Sequence, residues 1–514
     1  MEYEALDIDP GVEWRFELEA DEEMAVRVAS GSVSINAEEL PPSTWYPIHK
    51  LTKSAIYAHE PAQIEVSSLP ASHYASSSTN QSQILSLHLA LEQRRILAKR
   101  VSDGTIGPRV MLVGPTSSGK TTVAKNLVNL ALSAGMGWTP CVVGLDPSSP
   151  ANLIPGSISL SLPSHPLPTH HVAHPFGSSP TSLPSSTLAA DVSTVGWWYG
   201  HTEPSTKGSD IWKKLVSAMG ERWKERCAKD PIAAASGLIM DTPSAFTNPT
   251  LGTKKDDPKA RYALVLQAIQ TFDIDVIVVI GHEKLTIDLL RLLPSSIKVL
   301  RLPKSGGVVD NDDTYRELVH AFQVRCYFYG EPPISKTIQA LRGESVPREL
   351  GLTPYSFQIG WETLIVLRVG EEHSAPSSAL PLGSSRMLSP TRLTRVDPSG
   401  PAHTVRLLNT VLAIVAIRPD DRIPKPTSVN KSAPTIIKSP KKEEGDDGEE
   451  EEKEEDDLDD VPYKEEVGWR EVLGFVVITN IDSQRRKYTL LSPTPGKLPS
   501  TVAIAGSVEW VDSE

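Results

Sequence analysis

Residues 114–122 read GPTSSGKTT, which places Gly114, Gly119, Lys120 and Thr121 at the spacing G-x-x-x-x-G-K-[ST]. Each residue type has a task in holding a nucleoside triphosphate. The glycines let backbone N–H groups turn inward onto phosphate oxygens, Lys120 neutralises the β- and γ-phosphates, and the Thr121 hydroxyl is placed to bind Mg²⁺. A helix beginning at this point adds its positive end. The loop alone leaves open whether a phosphoryl group is passed on or the nucleotide is simply kept.

Transfer requires a carboxylate for metal or base work and cations that meet the charge of the transition state. Two aspartates end apolar runs, Asp146 in VVGLD and Asp241 in LIMD. Both would lie at the carboxyl edge of a sheet, where ligands bind. Asp146 is the preferred metal or base residue beside Thr121, and Asp241 ranks second. Asp-Pro and Asp-Thr-Pro are also ordinary turn chemistry. Two other patterns are weaker. TKKD at 253–256 matches a guanine-reading motif, but no apolar strand precedes it, and DTPS lacks the glycine of a GTPase switch. His165, His170, His171 and His174 fall in a Pro-rich stretch that fixes no ligand geometry.

The elements around the loop fit it. VMLV before it reads as a strand, and TTVAKNLVNLALSAG after it reads as a helix with Val123, Leu127 and Leu130 on one face. From 108 to 330, continuous apolar runs alternate with helical stretches, the pattern of a parallel sheet buried on both faces. Residues 147–190 interrupt it with an irregular Pro/Ser/His-rich segment. At the N-terminus, Trp14, Phe16 and Leu18, then Val26 and Val28, then Val33 and Ile35 alternate with other residues, as in an antiparallel β domain with one buried face. A Ser-rich link at 71–82 leads to a connecting helix carrying Ile84, Leu87 and Leu91. Strand candidates resume after 345, with insertions expected near 373–400 and from about 420 to 465.

The chain of 514 residues allows two to four domains. The net charge is −13, yet residues 443–460 alone hold fourteen acidic residues and one lysine, so the remainder is neutral. Such a block repels itself and is expected to be disordered. No global basic field then draws nucleic acid to the body. MEYEALDIDP lacks the layout of a signal peptide, and no apolar run spans a membrane. Cys141, Cys227 and Cys326 are too few and too scattered for a disulfide framework.

LPKSGGVV at 302–309 and CYFYG at 326–330 carry a resemblance to one family. With WRFELEA, GPTSSGKTT, LIPGSISL at 153–160 and GFVVITNIDSQRRKYTLLSPTPGKLP at 474–499, the chain resembles, along most of its length, the RNA 5′-hydroxyl kinase family with members in the pre-mRNA 3′-end cleavage and polyadenylation machinery. The resemblance implies a multidomain α/β protein. Its parts would be an N-terminal antiparallel β-sandwich with the connecting helix (1–100), a central P-loop kinase-like domain with a parallel sheet and flanking helices (101–335) and a C-terminal mixed α/β domain (336–514). It also implies ATP and Mg²⁺. The contacts carried over are Glu13, Lys53, Gly114, Ser117, Ser118, Gly119, Lys120, Thr121 and Thr122, with Thr121 and Asp146 at the metal.

The departures from the family pattern are selective. Active members follow the Asp146 position with V-G-Q, and here Pro147, Ser148 and Ser149 follow. The tryptophan that clamps the RNA end falls on Ala245. Of two lid arginines, the first falls on Asn311 and only Arg316 remains. An arginine that meets transition-state charge is worth about 10³ or more in rate, and a stacking platform about 1–3 kcal/mol per base. Phosphate-holding parts are kept while substrate-handling parts are lost. The expectation is an ATP-binding, non-catalytic subunit of the nuclear cleavage factor that docks a scaffold subunit contacting RNA polymerase II. The alternatives are an active ATP-dependent RNA 5′-hydroxyl kinase using Lys120, Asp146 and Arg316, and a scaffold that binds no nucleotide. Lys438, Lys441 and Lys442 form a weak import signal.

Overall fold

Alternating apolar side chains at the N-terminus close a β-sandwich. A computed structural model describes residues 3–101, 105–169, 172–173, 175–177, 192–204, 209–247, 258–330, 333–343, 354–370, 390–396, 398–399, 406–423 and 461–512. One antiparallel sheet orders Glu4–Ile8, Ala62–Val66, Met24–Ser30 and Tyr46–Ile48. The other orders Glu38–Glu39, Val33–Ile35, Lys53–Ala58, Glu13–Glu17 and Ser72–Ser76. Trp14, Phe16, Val26, Val28, Val33 and Ile35 fill the space between them. Part of the expected Ser-rich link is therefore a strand: Ser72–Ser76 is the edge partner of Glu13–Glu17. It carries no apolar alternation because its side chains are mostly exposed; the backbone ladder holds it, helped by His73 against Trp14 and Tyr74 against Arg15.

The helix Gln81–Arg100 leads to the central domain, burying Ile84 and Leu91 with Leu87 half-buried. Five strands run parallel, in the order Cys141–Gly144, Leu238–Asp241, Arg109–Val113, Val276–Ile280 and Lys298–Leu302. Lys120–Ser133 and Gln81–Arg100 pack on one face. Ser209–Lys229, Ala263–Phe272 and Glu283–Leu292 pack on the other. The sheet is extended by an antiparallel pair, Ser157–Leu162 with Ser193–Trp198. Ser157–Leu162 lies in the segment expected to be irregular. Its serines, Ser157, Ser159 and Ser161, are themselves buried, so the strand lacks the continuous apolar run that marked its neighbours.

The C-terminal sheet orders Tyr355–Gly360, Lys487–Ser492, Val472–Asp482, Thr410–Val415, Val502–Glu509, Ile365–Val369 and Leu393–Arg395. Its helical layer comes from before residue 336. Helix Asp313–Tyr329 packs Val324, Tyr327 and Phe328 against Val411, Phe475 and Val477, and the Phe475 N–H donates to Tyr327 Oη at 2.9 Å. The last strand is also joined to the central domain at Gly200, where the Ser507 N–H donates to the carbonyl oxygen at 2.7 Å. Helix Lys336–Leu341 returns to the N-terminal domain, setting Ile338 against Ala25 and Trp45.

The first expected insertion contains the strand Leu393–Arg395, paired with Ile365–Val369. The acidic block, TKKD, His170, His171, His174 and the three-lysine cluster lie outside the described residues. Where the second insertion leaves and rejoins the sheet, the chain is tied. The Ile423 N–H donates to Pro462 O at 3.0 Å, the Lys464 N–H donates to Asp421 O at 2.9 Å, and Asp421 pairs with Arg470. No helix among the described residues is long and apolar enough to cross a membrane.

Candidate nucleotide site

The phosphate loop joins strand Arg109–Val113 to helix Lys120–Ser133. Gly114 must be glycine, because a Cβ there would lie 2.6 Å from Ser118 Oγ and 2.9 Å from Ile280 O. Gly119 has φ +87° and Ser117 φ +52°, the left-handed turns that curl the loop. Lys120 is buried and its Nζ donates to the loop's own carbonyl oxygens, Gly114 at 3.1 Å and Pro115 at 3.0 Å. Ser118 Oγ is buried without a partner. The Thr122 side of the loop is exposed at the helix start.

The carboxylate beside Thr121 is Asp241, whose Oδ2 accepts from Thr121 Oγ1 at 2.6 Å. Asp241 ends the strand next to the loop strand. Burial pushes its carboxyl up to about 6, against the opposing pull of the Lys120 ammonium and the Thr121 hydroxyl. Its Oδ1 is buried with no partner. Asp146, the aspartate preferred from sequence, is close enough to raise Asp241 further. Its own Oδ1 is occupied by Ser148, from the N–H at 3.0 Å and from Oγ at 2.6 Å. The structure thus brings both aspartates to one edge and pairs Thr121 with the one ranked second. Asp241 is the last residue of its strand, whereas Asp146 lies two residues beyond the end of Cys141–Gly144, a difference the apolar runs VVGLD and LIMD do not display.

Residues expected at the far side of the nucleotide lie on the N-terminal sheet. Glu13 and Arg15 alternate with Trp14 and Phe16, so they face away from the sandwich core, yet both are only 5% exposed. Glu13 Oε2 accepts from Arg15 at 3.0 and 2.8 Å, and its other oxygen is bonded to Thr79 Oγ1. Lys53 pairs with Glu17 at 3.2 Å, and its Nζ lies 4.4 Å from the Tyr315 ring centroid. Since Glu17 stands opposite Lys53 in the ladder, Glu13 and Lys53 are separated by about 13 Å of strand. They mark the two ends of one face rather than one contact point.

The segment after LPKSGG closes over the loop. The Asn311 N–H donates to Ser117 Oγ at 3.4 Å. Arg316 is folded back, donating to Asn311 O at 2.9 Å and standing 3.7 Å from Asp313. Ala245 is buried, and the aromatic beside it, Phe246, turns inward against Trp212. His165 is exposed and bonds Ser164, and no three metal-binding side chains cluster among the described residues. Arg15 was not singled out from sequence. Its signal was indirect, in the paired glycines of LPKSGGVV that lie against it.

Three family profiles match the chain in order. Residues 7–98 match the N-terminal beta-sandwich domain of polyadenylation factor, 114–330 match the mRNA cleavage and polyadenylation factor CLP1 P-loop, and 352–512 match the Pre-mRNA cleavage complex II protein Clp1. An mRNA cleavage and polyadenylation factor CLP1 of Cryptococcus neoformans is 59% identical over 537 residues, covering 99% of this chain and 98% of its own. The Laccaria bicolor protein of the same name is 35% identical over 98% and 97%. A CLP1 homolog of Arabidopsis thaliana is 30% identical over 96% and 91%. A solved Clp1p–Pcf11p (454–563) complex shares the fold with TM-score 0.72 at 23% identity, covering 100% of this chain and 99% of that one. A second Clp1p–Pcf11p structure, concerned with an extended interface and with ATP loss in a glycine-to-arginine mutant, gives 0.73 at the same identity and 99% coverage of both. On the matched domains and the 59% identical relative, the chain belongs to the CLP1 family of mRNA cleavage and polyadenylation factors.

Proposed function

We propose that the chain binds ATP with Mg²⁺ between its N-terminal and central domains and keeps it, as a non-catalytic subunit of the nuclear pre-mRNA cleavage factor. The observation that supports this most is a division within the site. Its phosphate side is built, with Ser118 Oγ and Asp241 Oδ1 buried and unpartnered where a phosphate and a metal would complete them. Its transfer side is engaged elsewhere, with Arg316 on Asn311 O and beside Asp313. Gly114, Ser117, Ser118, Gly119, Lys120, Thr121 and Thr122 would hold phosphates, Thr121 and the two aspartates would hold the metal, and Glu13 and Lys53 would frame the N-terminal side. Bound ATP would stabilise the two-domain arrangement, by about 2.7 kcal/mol at one hundred times its Kd.

The partner proposed is a scaffold subunit of the cleavage factor that also contacts RNA polymerase II, in line with the Pcf11 complexes of the solved neighbours. The role is bridging subunits in the nucleus. The deciding experiment is to purify the protein without added nucleotide, denature it and identify what is released. Intact ATP near one per chain supports the reading. ADP, or transfer of the γ-phosphate to 5′-hydroxyl RNA that is abolished by Lys120→Ala, replaces it with a working RNA kinase. An empty site with no ATP-induced rise in Tm leaves a scaffold alone.

A further inference from the structure

The two glycines of LPKSGGVV lie against one arginine of another domain. A Cβ built at Gly307 would stand 2.5 Å from Arg15 Nε, 2.8 Å from Cδ and 3.0 Å from Cζ. One at Gly306 would stand 3.6 Å from Arg15 Nη1. The next residue reaches the other way, with Val308 Cγ2 3.2 Å from a Cβ built at Gly119 of the phosphate loop. Three consecutive residues therefore bridge the N-terminal sheet and the phosphate loop.

Arg15 cannot yield cheaply. It makes a two-pronged bond to Glu13, donates to Ser78 O, and is 5% exposed. Glu13 is in turn held by Thr79, at the entrance to the connecting helix. A planar guanidinium in a fixed fork is a rigid part, unlike a lysine. Its stem and head leave no room for a Cβ at Gly307, whereas a Cβ at Gly306 would only touch it.

We infer that Arg15 is the contact through which the N-terminal domain closes the nucleotide site. It seats Gly306 and Gly307 so that Val308 covers Gly119, and nucleotide exchange requires this seat to open. Glu13 is then a positioning residue, acting by fixing Arg15. The inference rests on the ATP reading for its exchange half, while the seat itself can be tested without nucleotide.

The test is a double-mutant cycle in the full chain with Gly307→Ala, Arg15→Ala and both together. The first readout is the release rate of a fluorescent N-methylanthraniloyl-ATP. Gly307→Ala is expected to speed release by about tenfold or more, the equivalent of about 1.4 kcal/mol lost from the closed state. Added to Arg15→Ala, it is expected to change release by less than about twofold, because the colliding atoms are gone. Val308→Ala, which leaves Arg15 untouched, is expected to speed release without lowering the Tm of the nucleotide-free protein. Equal effects of Gly307→Ala in both backgrounds would overturn the seat, and unchanged release in every single variant would overturn the exchange role. If Arg15→Ala does not fold, Arg15→Thr, a strand-forming residue that also lacks Cδ, Nε and Cζ, takes its place in the cycle. If the wild type binds no nucleotide, the ATP reading fails on its own account. The melting of the four nucleotide-free proteins then judges the seat: non-additive losses support it and additive losses overturn it.

Discussion

Asp241→Asn should stabilise the nucleotide-free protein and at the same time remove the Mg²⁺-dependent part of its response to ATP. Asp241 is 3% exposed, and burial moves its carboxyl from 3.8 to about 6. A carboxyl raised in the fold binds a proton that the unfolded chain has already released. Stability therefore falls as pH rises from 3.8 to 6, and above 6 the penalty is complete. Two pKa units at about 1.4 kcal/mol each put it near 3 kcal/mol at pH 7. Asparagine is the same size, can still accept from Thr121 Oγ1, and carries no charge to bury. The expected gain is up to about 3 kcal/mol at pH 7, roughly halved at pH 5. Mg·ATP should then stabilise the variant little more than ATP with chelator does, because the amide is a poor ligand for Mg²⁺. Calorimetry of wild type, Asp241→Asn and Asp146→Asn at both pH values, with and without Mg·ATP, measures all of this. The multidomain chain calls for following the transition that ligand shifts rather than the whole melt. An Asp241→Asn protein no more stable than wild type, or one that keeps its Mg·ATP response while Asp146→Asn loses it, would refute the assignment of Asp241 as the carboxylate facing the nucleotide.

Gly114→Ala should abolish nucleotide retention, since its Cβ meets Ser118 Oγ and the Ile280 carbonyl; overpacking of this kind costs about 1–3 kcal/mol, and equilibrium dialysis with ATP reads the loss. Lys125 is buried, with Nζ donating to Pro168 O at 2.6 Å, and burial lowers its ammonium to about 8. Between pH 8 and its ordinary range the unfolded chain binds the extra proton, so stability contributed at this site rises by about 1.4 kcal/mol per pH unit. Lys125→Met lacks that rise, and urea melts of both proteins at pH 7 and 9.5 should show it; parallel curves would refute it. Gly506→Ala places a Cβ 2.3 Å from Gly200 O, backbone against backbone, so it should loosen the C-terminal sheet from the central domain by about 1–3 kcal/mol. Faster hydrogen exchange at the Ser507 amide is the expected sign.

The phosphate loop and the sandwich were legible because both are local. Gly114 to Thr121 is a fixed spacing, and Trp14, Phe16, Val26 and Val28 declare one buried face by alternation. What stayed hidden depends on partners distant in the chain. Glu13 and Arg15 occupy the positions that alternation assigns to solvent, yet Tyr74, Ser78, Thr79, Gly306 and Gly307 lie against them. Thr121 bonds Asp241 rather than Asp146, whose strand is one place further from the loop strand, a matter of sheet order rather than of motif. Ser157–Leu162 was missed because buried serines do not look like a core. Helix Asp313–Tyr329 reads as the end of the central domain, yet Tyr327 and Phe328 belong to the core of the next one. Ala245 and Asn311 were visible as departures from a pattern, and Arg316 as the lid arginine that remains. The structure adds the bond of Arg316 to Asn311 O and its pairing with Asp313.

The ties at residues 421–423 and 462–464 have a consequence for how this chain can change over time. The two ends of the intervening stretch are already joined by backbone hydrogen bonds and by the Asp421–Arg470 pair. The sheet therefore does not depend on that stretch to bring them together. Lengthening it costs only the slow growth of closure entropy, about 0.6 kcal/mol for each doubling. The bonds at 421–423 and 462–470, rather than the number of residues between them, set how the strands on either side meet.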